Sequence, residues 1–143
     1  MRRLVVILMW VFPASIACAQ QHPCTDAEAK RADTDLDTLG SWDALYRWYK
    51  LYRQCDDGGL AEGYSESVVR ILADHWNTLP RLVTLSRRDP RFRRFVLGHV
   101  DATTNPDDLR KIRINASTQC PPRLGAICAD LAKQADAALK YDE

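Results

Sequence analysis

The sequence lacks a surplus of charge of either sign. Its 20 Lys and Arg stand against 19 Asp and Glu, a formal +1, so no global field draws in a polyanion and nothing points to nucleic acid. Glycine is scarce, with 6 residues, and none falls in a G-x-S-x-G, P-loop or dinucleotide-binding pattern. No C-x-x-C pair is present, which removes the usual thiol redox motif. No H-x3-H pair sits on one helix to hold zinc. Alternating apolar and polar residues are absent, so no strand is expected. At 143 residues the chain has no room for a cofactor domain plus a substrate domain. No cofactor is implied, and enzyme activity has no motif behind it. Hydrophobic residues at 46% and charged residues at 27% are the mix of a folded protein and exclude disorder for most of the chain.

What is present begins with an address. Arg2 and Arg3 precede a nine-residue apolar run, LVVILMWVF at residues 4–12; Pro13 ends it and Ala17-Cys18-Ala19 follows. This is the three-part plan of a secretory signal peptide cut after Ala19. The run is too short for a transmembrane helix, which needs about 20 residues. A lipoprotein with Cys18 lipidated is the rival, although Ser15-Ile16-Ala17-Cys18 lacks the usual Leu three positions before the Cys. The expected division is a signal peptide at 1–19 and one helical domain at 20–143, in the periplasm or secreted.

Four Cys remain after that cut: Cys24, Cys55, Cys120 and Cys128. An even count in a small exported domain reads as two disulfides. Four Cys allow three pairings. The preferred one is Cys24–Cys55, joining neighbouring ends of an antiparallel helix pair, with Cys120–Cys128 across the Pro121-Pro122 turn. Spacings of the C-x2-C or C-x4-C kind, which a zinc site wants, are missing.

The body reads as helix after helix, an all-α bundle of six or seven short elements. Thr25-Asp26-Ala27-Glu28 is a capping box for the first, which Gly40 ends. Ser41 caps a second, from Trp42 to about Cys55. Asp56-Asp57-Gly58-Gly59 is a turn. A third runs from Leu60 to about Trp76, with Ala61, Tyr64, Val68, Ile71 or Leu72, and His75 on one stripe. A fourth opens near Leu79. Asp89-Pro90 and Asn105-Pro106 each place a cap before a proline that starts a helix. Phe92, Phe95, Val96 and His99 face inward on the fifth helix, and Leu109, Ile112 and Ala116 on the sixth. Leu124, Ile127, Leu131, Ala135 and Ala138 line the last.

Candidate chemistry is sparse. His22 lies in the tail before the first helix; His75 and His99 fall on or beside apolar faces, where a core role is commoner than catalysis. Asp56, Asp57 and Glu62 form the one local carboxylate cluster. They read as capping charges for the third helix, or as part of a calcium loop that wants more oxygens than they supply. A small hydrolase would need Asp56, Asp57 and Glu62 to converge with His75 or His99. Two surface features are sharper. The run Arg87-Arg88-Asp89-Pro90-Arg91-Phe92-Arg93-Arg94, with Arg81, can pair carboxylates or phosphates through guanidinium forks. The second helix carries two aromatic stripes: Leu45, Trp48 and Tyr52, and beside it Trp42, Tyr46 and Tyr49. That helix is either central in the bundle or presents Tyr and Trp at an interface. The partner-binding candidates are therefore Trp42, Tyr46, Tyr49, Arg87, Arg88, Arg91 and Arg94. Asp26, Glu28, Asp33, Asp35 and Asp37 make an acidic pole on the first helix that favours a homodimer.

One family resemblance rests on Tyr49-x-x-Tyr52-x-x-Cys55-Asp56-Asp57-Gly58, then Ala61-Glu62-Gly63-Tyr64, then Cys120 and Cys128. With the leader, the size and the helical plan, the chain resembles the small periplasmic immunity proteins that protect bacteria from type VI secretion amidase effectors. The resemblance implies a non-enzymatic inhibitor of a cell-wall amidase, often a homodimer. It carries over no binding residue. The alternative is an envelope structural or stress protein that binds peptidoglycan or anionic lipid.

Overall fold

The computed structural model describes residues 22–141; the signal peptide expected at 1–19, Cys18 included, lies outside the described residues. Among the described residues seven α-helices follow in order: α1 Asp26–Asp35, α2 Trp42–Tyr52, α3 Gly58–Asp74, α4 Leu79–Arg88, α5 Pro90–Gly98, α6 Pro106–Thr118 and α7 Gly125–Leu139. No strand occurs among the described residues. None of these helices is long and apolar enough to cross a membrane.

The caps explain the boundaries. Thr25 Oγ1 accepts the Glu28 N–H at 3.3 Å, and the Glu28 carboxylate accepts the Thr25 N–H at 3.0 Å, a reciprocal box. Ser41 caps α2 through the Ala44 N–H at 3.3 Å. Asp89 and Asn105 accept the N–H of Arg91 at 3.1 Å and of Asp107 at 2.9 Å, each followed by a proline whose missing N–H costs a helix nothing in its first turn. Gly58 opens α3 at φ 52°, a left-handed conformation that suits glycine.

The chain packs as pairs. α6 and α7 form the tightest hairpin, α3 lies on α6, α4 on α5, and α1 against α2 and α3. Tyr64, Phe92, Leu45, Leu72, Leu82, Leu109, Ile112 and Leu131 are fully buried at the centre. Each such side chain contributes roughly 1.5–3 kcal/mol of burial. Gly63 lets the 3-10 turn after α1, Leu36–Thr38, come close: a Cβ there would lie 2.7 Å from Leu36 Cδ1.

Two disulfides are present, Cys24–Cys55 and Cys120–Cys128, as expected of a chain in a non-reducing compartment. The first ties the segment ahead of α1 to the short 3-10 turn that prolongs α2. The second spans the Pro121-Pro122 turn into α7.

Two expectations are corrected. The third helix stops at Asp74, because His75 leaves helical dihedrals at φ −125° and ψ 40°. His75 is therefore exposed rather than part of the apolar stripe. Trp42, expected as a partner-binding residue, is 2% exposed. α2 buries Trp42, Leu45, Trp48 and Tyr49 and leaves Tyr46 and Tyr52 half-buried, so Trp42 anchors the core and its Nε1 donates to Thr78 Oγ1 at 2.9 Å. Thr78→Val should remove that acceptor and lower stability by about 1 kcal/mol, read as a shift in urea midpoint. An unchanged midpoint would contradict the role.

Candidate functional site

The end of α2 and the start of α5 face one another across an open groove of about 820 Å³. Tyr49, Lys50 and Arg53 line one wall, and Arg91, Arg94 and Phe95 the other; Asp56 and His22 reach its ends. The local sequence dictates this. Asp89 and Pro90 fix where α5 begins, so Arg91 and Arg94, three residues apart, share a face while Phe92 and Val96 turn into the core. The Tyr49 ring packs 5.2 Å from Phe92 and 5.0 Å from Phe95. The Arg53 guanidinium lies 5.6 Å from the Tyr49 ring centre, within cation–π range. Tyr49 is 3% exposed. Burial, helped by the Asp89 charge, pushes its phenol above the usual tyrosine value, so it stays neutral at physiological pH.

The groove is electrostatically unbalanced. Lys50 lies 3.7 Å from Asp89. Among the described residues, no carboxylate comes within 4.0 Å of Arg53, Arg91 or Arg94. Arg53 Nε is buried with no hydrogen-bond partner. Such guanidinium groups can hold carboxylates or phosphates through paired N–H donors.

The remaining candidates go elsewhere. Tyr46 is half-buried, edge-on to Phe92 at 4.9 Å. Arg81 is tied to Asp43 by bonds of 3.0 and 2.5 Å, and that pairing holds the Asp43 carboxyl below the usual range. Arg87 and Arg93 turn to a second pocket, against α7. Arg88 is exposed and meets no carboxylate among the described residues. The arginine run is therefore not one patch: only Arg91 and Arg94 join Tyr49. Lys50 and Arg53 are not among the binding residues the sequence singles out, and Asp56 figures there only as a capping, calcium or hydrolase candidate. Arg53 falls four positions after Tyr49, a spacing that places both on one face of a helix, and this was the available signal.

One buried polar network lies beneath the groove. The Ser65 hydroxyl on α3 donates to Asp101 Oδ2 at 2.7 Å. Its oxygen is therefore free to accept from His99 Nδ1, 3.0 Å away. His99 Nε2 lies 3.3 Å from Asp56 Oδ2. The convergence a hydrolase would need is partial. Asp56 meets His99, but Asp57 caps α3 through the Gly58 N–H at 2.8 Å, and Glu62 and His75 are exposed. Ser65 is 1% exposed, so its hydroxyl is closed to a substrate in this conformation. The network instead knots the end of α2, α3, the end of α5 and the following loop. No cluster of three or more His, Cys, Asp or Glu suited to a metal ion occurs among the described residues.

This network makes stability depend on acid. Burial raises the Asp101 pKa, but hydrogen bonds from Thr103 and Ser65 and the nearby His99 outweigh it, and the net shift is downward. A carboxyl depressed on folding contributes stability that is complete above its unfolded value, about 3.9. That contribution disappears as pH falls through the lower folded value. Asp101→Asn keeps the acceptor oxygen and removes the charge. The parent should therefore lose stability relative to the variant below about pH 4. Parallel acid denaturation of the two would contradict this assignment.

Compared with known proteins, the chain matches no protein-family model, no curated protein and no solved structure.

Proposed function

We propose that the chain is an exported, non-enzymatic binding protein: a periplasmic immunity protein that inhibits a cell-wall amidase effector of type VI secretion. The observation that carries this reading is the groove between α2 and α5, where Arg53, Arg91 and Arg94 lack carboxylate partners among the described residues beside the buried Tyr49 ring. Arginine supplies much of the energy of protein interfaces; Tyr49, buried like Trp42, backs the groove from the core and is corrected as a direct partner contact. A carboxylate-bearing surface loop of a partner would meet paired guanidinium donors over an aromatic floor. The two disulfides agree with export, and the motif resemblance around Tyr49 and Gly63 names the partner class. The exposed Asp26, Asp33 and Asp35 of α1 and Asp37 just after it suit a homodimer in which one copy's acids meet the other's basic face.

The test is co-expression in the periplasm with cell-wall amidase effectors of type VI secretion. Protection of the host from lysis, with loss of protection on Arg91→Glu plus Arg94→Glu, is the expected result. Lysis at the same rate with and without the chain overturns the reading. Binding to purified peptidoglycan or anionic vesicles, without amidase inhibition, replaces it with the envelope-binding alternative.

A further inference from the structure

A second pocket opens on the far side of α5, between α4 and the beginning of α7, and it has the parts of an anion site. α7 is a 15-residue helix whose N-cap, Leu124, offers no side-chain acceptor. Neither the Gly125 nor the Ala126 N–H makes a hydrogen bond among the described residues. An uncapped helix start concentrates positive potential and free donors. Leu124 and Ala126 form part of the pocket wall, so the helix begins at the pocket itself.

Three independent features sit around that start. Ser86 lines the pocket, is 8% exposed, and its Oγ is buried with no hydrogen-bond partner. Such a hydroxyl is costly to leave unpaired. Arg87 and Arg123 stand at the rim and meet no carboxylate within 4.0 Å among the described residues. Arg93, the third guanidinium, is already paired with Asp130. The floor is apolar, made by Val83, Leu124 and Ile127.

The geometry points to a binding site for a terminal carboxylate that carries an apolar side chain. The carboxylate would take the Gly125 and Ala126 N–H groups and the Arg87 and Arg123 forks, as helix starts and guanidinium groups take such anions elsewhere. Ser86, whose buried Oγ has no partner, would rotate its hydroxyl toward the carboxylate, and the side chain would cover Val83 and Ile127. The cavity measures about 210 Å³, below the roughly 300–1,000 Å³ of sites that enclose a whole small molecule. It therefore accepts the end of a longer chain and not a lipid tail. A protein C-terminus and a cell-wall stem peptide both present this group. The site does not depend on the amidase reading, because it shares no residue with the groove on the other face of α5.

The full chain would be titrated with N-acetyl-leucine and with its amide, following backbone amide shifts by NMR. The expected result is saturable movement of the Gly125 and Ala126 signals with the acid, at a dissociation constant on the order of 1 mM, and at least about tenfold weaker binding of the amide. Arg87→Gln and Arg123→Gly should each weaken the acid by about tenfold. Arg123 sits at φ 68°, where glycine is at ease, so the second variant keeps the fold. Acetylated peptides ending in L-Leu or in D-Ala-D-Ala then separate the two sources, and tighter binding of either supports the site. Equal binding of acid and amide, phosphate binding as tight as the acid, or unaltered binding by both variants overturns the proposal.

Discussion

Replacing Cys24 and Cys55 by serine is expected to lower stability by about 3–4 kcal/mol. The bond joins positions 31 residues apart, and opening a loop of that size returns that much chain entropy to the unfolded state. The Cys120–Cys128 bond closes a separation of only 8 residues, so its loss should cost about 2–3 kcal/mol. The two effects should be close to additive, since the bonds lie in different parts of the fold. Denaturant melts of the single and double variants measure this. A midpoint that ignores the long loop would show that the crosslink is not what fixes the N-terminal helix pair. The longer bond has a further consequence. Cys55 adjoins Asp56 and follows Arg53 by two residues, both in the groove. Opening it should loosen the Asp56–His99 contact and the Arg53–Tyr49 stacking together.

Reversing the charge at Arg91 and Arg94 together should weaken partner binding by about 100-fold or more, because truncating a charge in a paired interface costs about 2–5 kcal/mol and reversal adds repulsion. Folding should be nearly untouched. Both residues are exposed and neither has an ion-pair partner among the described residues, and surface changes of this kind stay within about 0.5 kcal/mol. The same reversal at Arg81 should disturb the Asp43 pair and leave binding unchanged. The contrast separates a local groove from a diffuse basic surface. Equal loss from Arg81→Glu would favour the diffuse surface.

Most of the fold was legible because its signals are local. Capping boxes, Asx-Pro starts and a 3.6-residue apolar period each act within a few residues, and they gave the starts of α1, α2, α5 and α6. The disulfide pairing followed from which helix ends lie side by side. The site was legible only in part. Arg91, Arg94 and Tyr49 were among the candidates, but what joins them is the crossing of α2 and α5, a long-range packing choice. Trp42 illustrates the opposite error. Its amphipathic tip suits an interface, and only the central position of α2 turns it inward. The Ser65–His99–Asp101 network spans 34 and 36 positions of sequence, with no periodicity to announce it. The pocket at α7 was equally silent, since Ser86 and Arg123 have no common motif.

The most direct test of the account is calorimetric titration of the oxidised protein, at two salt concentrations, with the amidase effector against which it is proposed to protect. The account predicts one saturable site that weakens as salt rises, through screening of the groove arginines, and that vanishes in the Arg91→Glu, Arg94→Glu variant while amidase activity returns. Heat that is unchanged in that variant, or no binding by the parent protein at either salt, would contradict it.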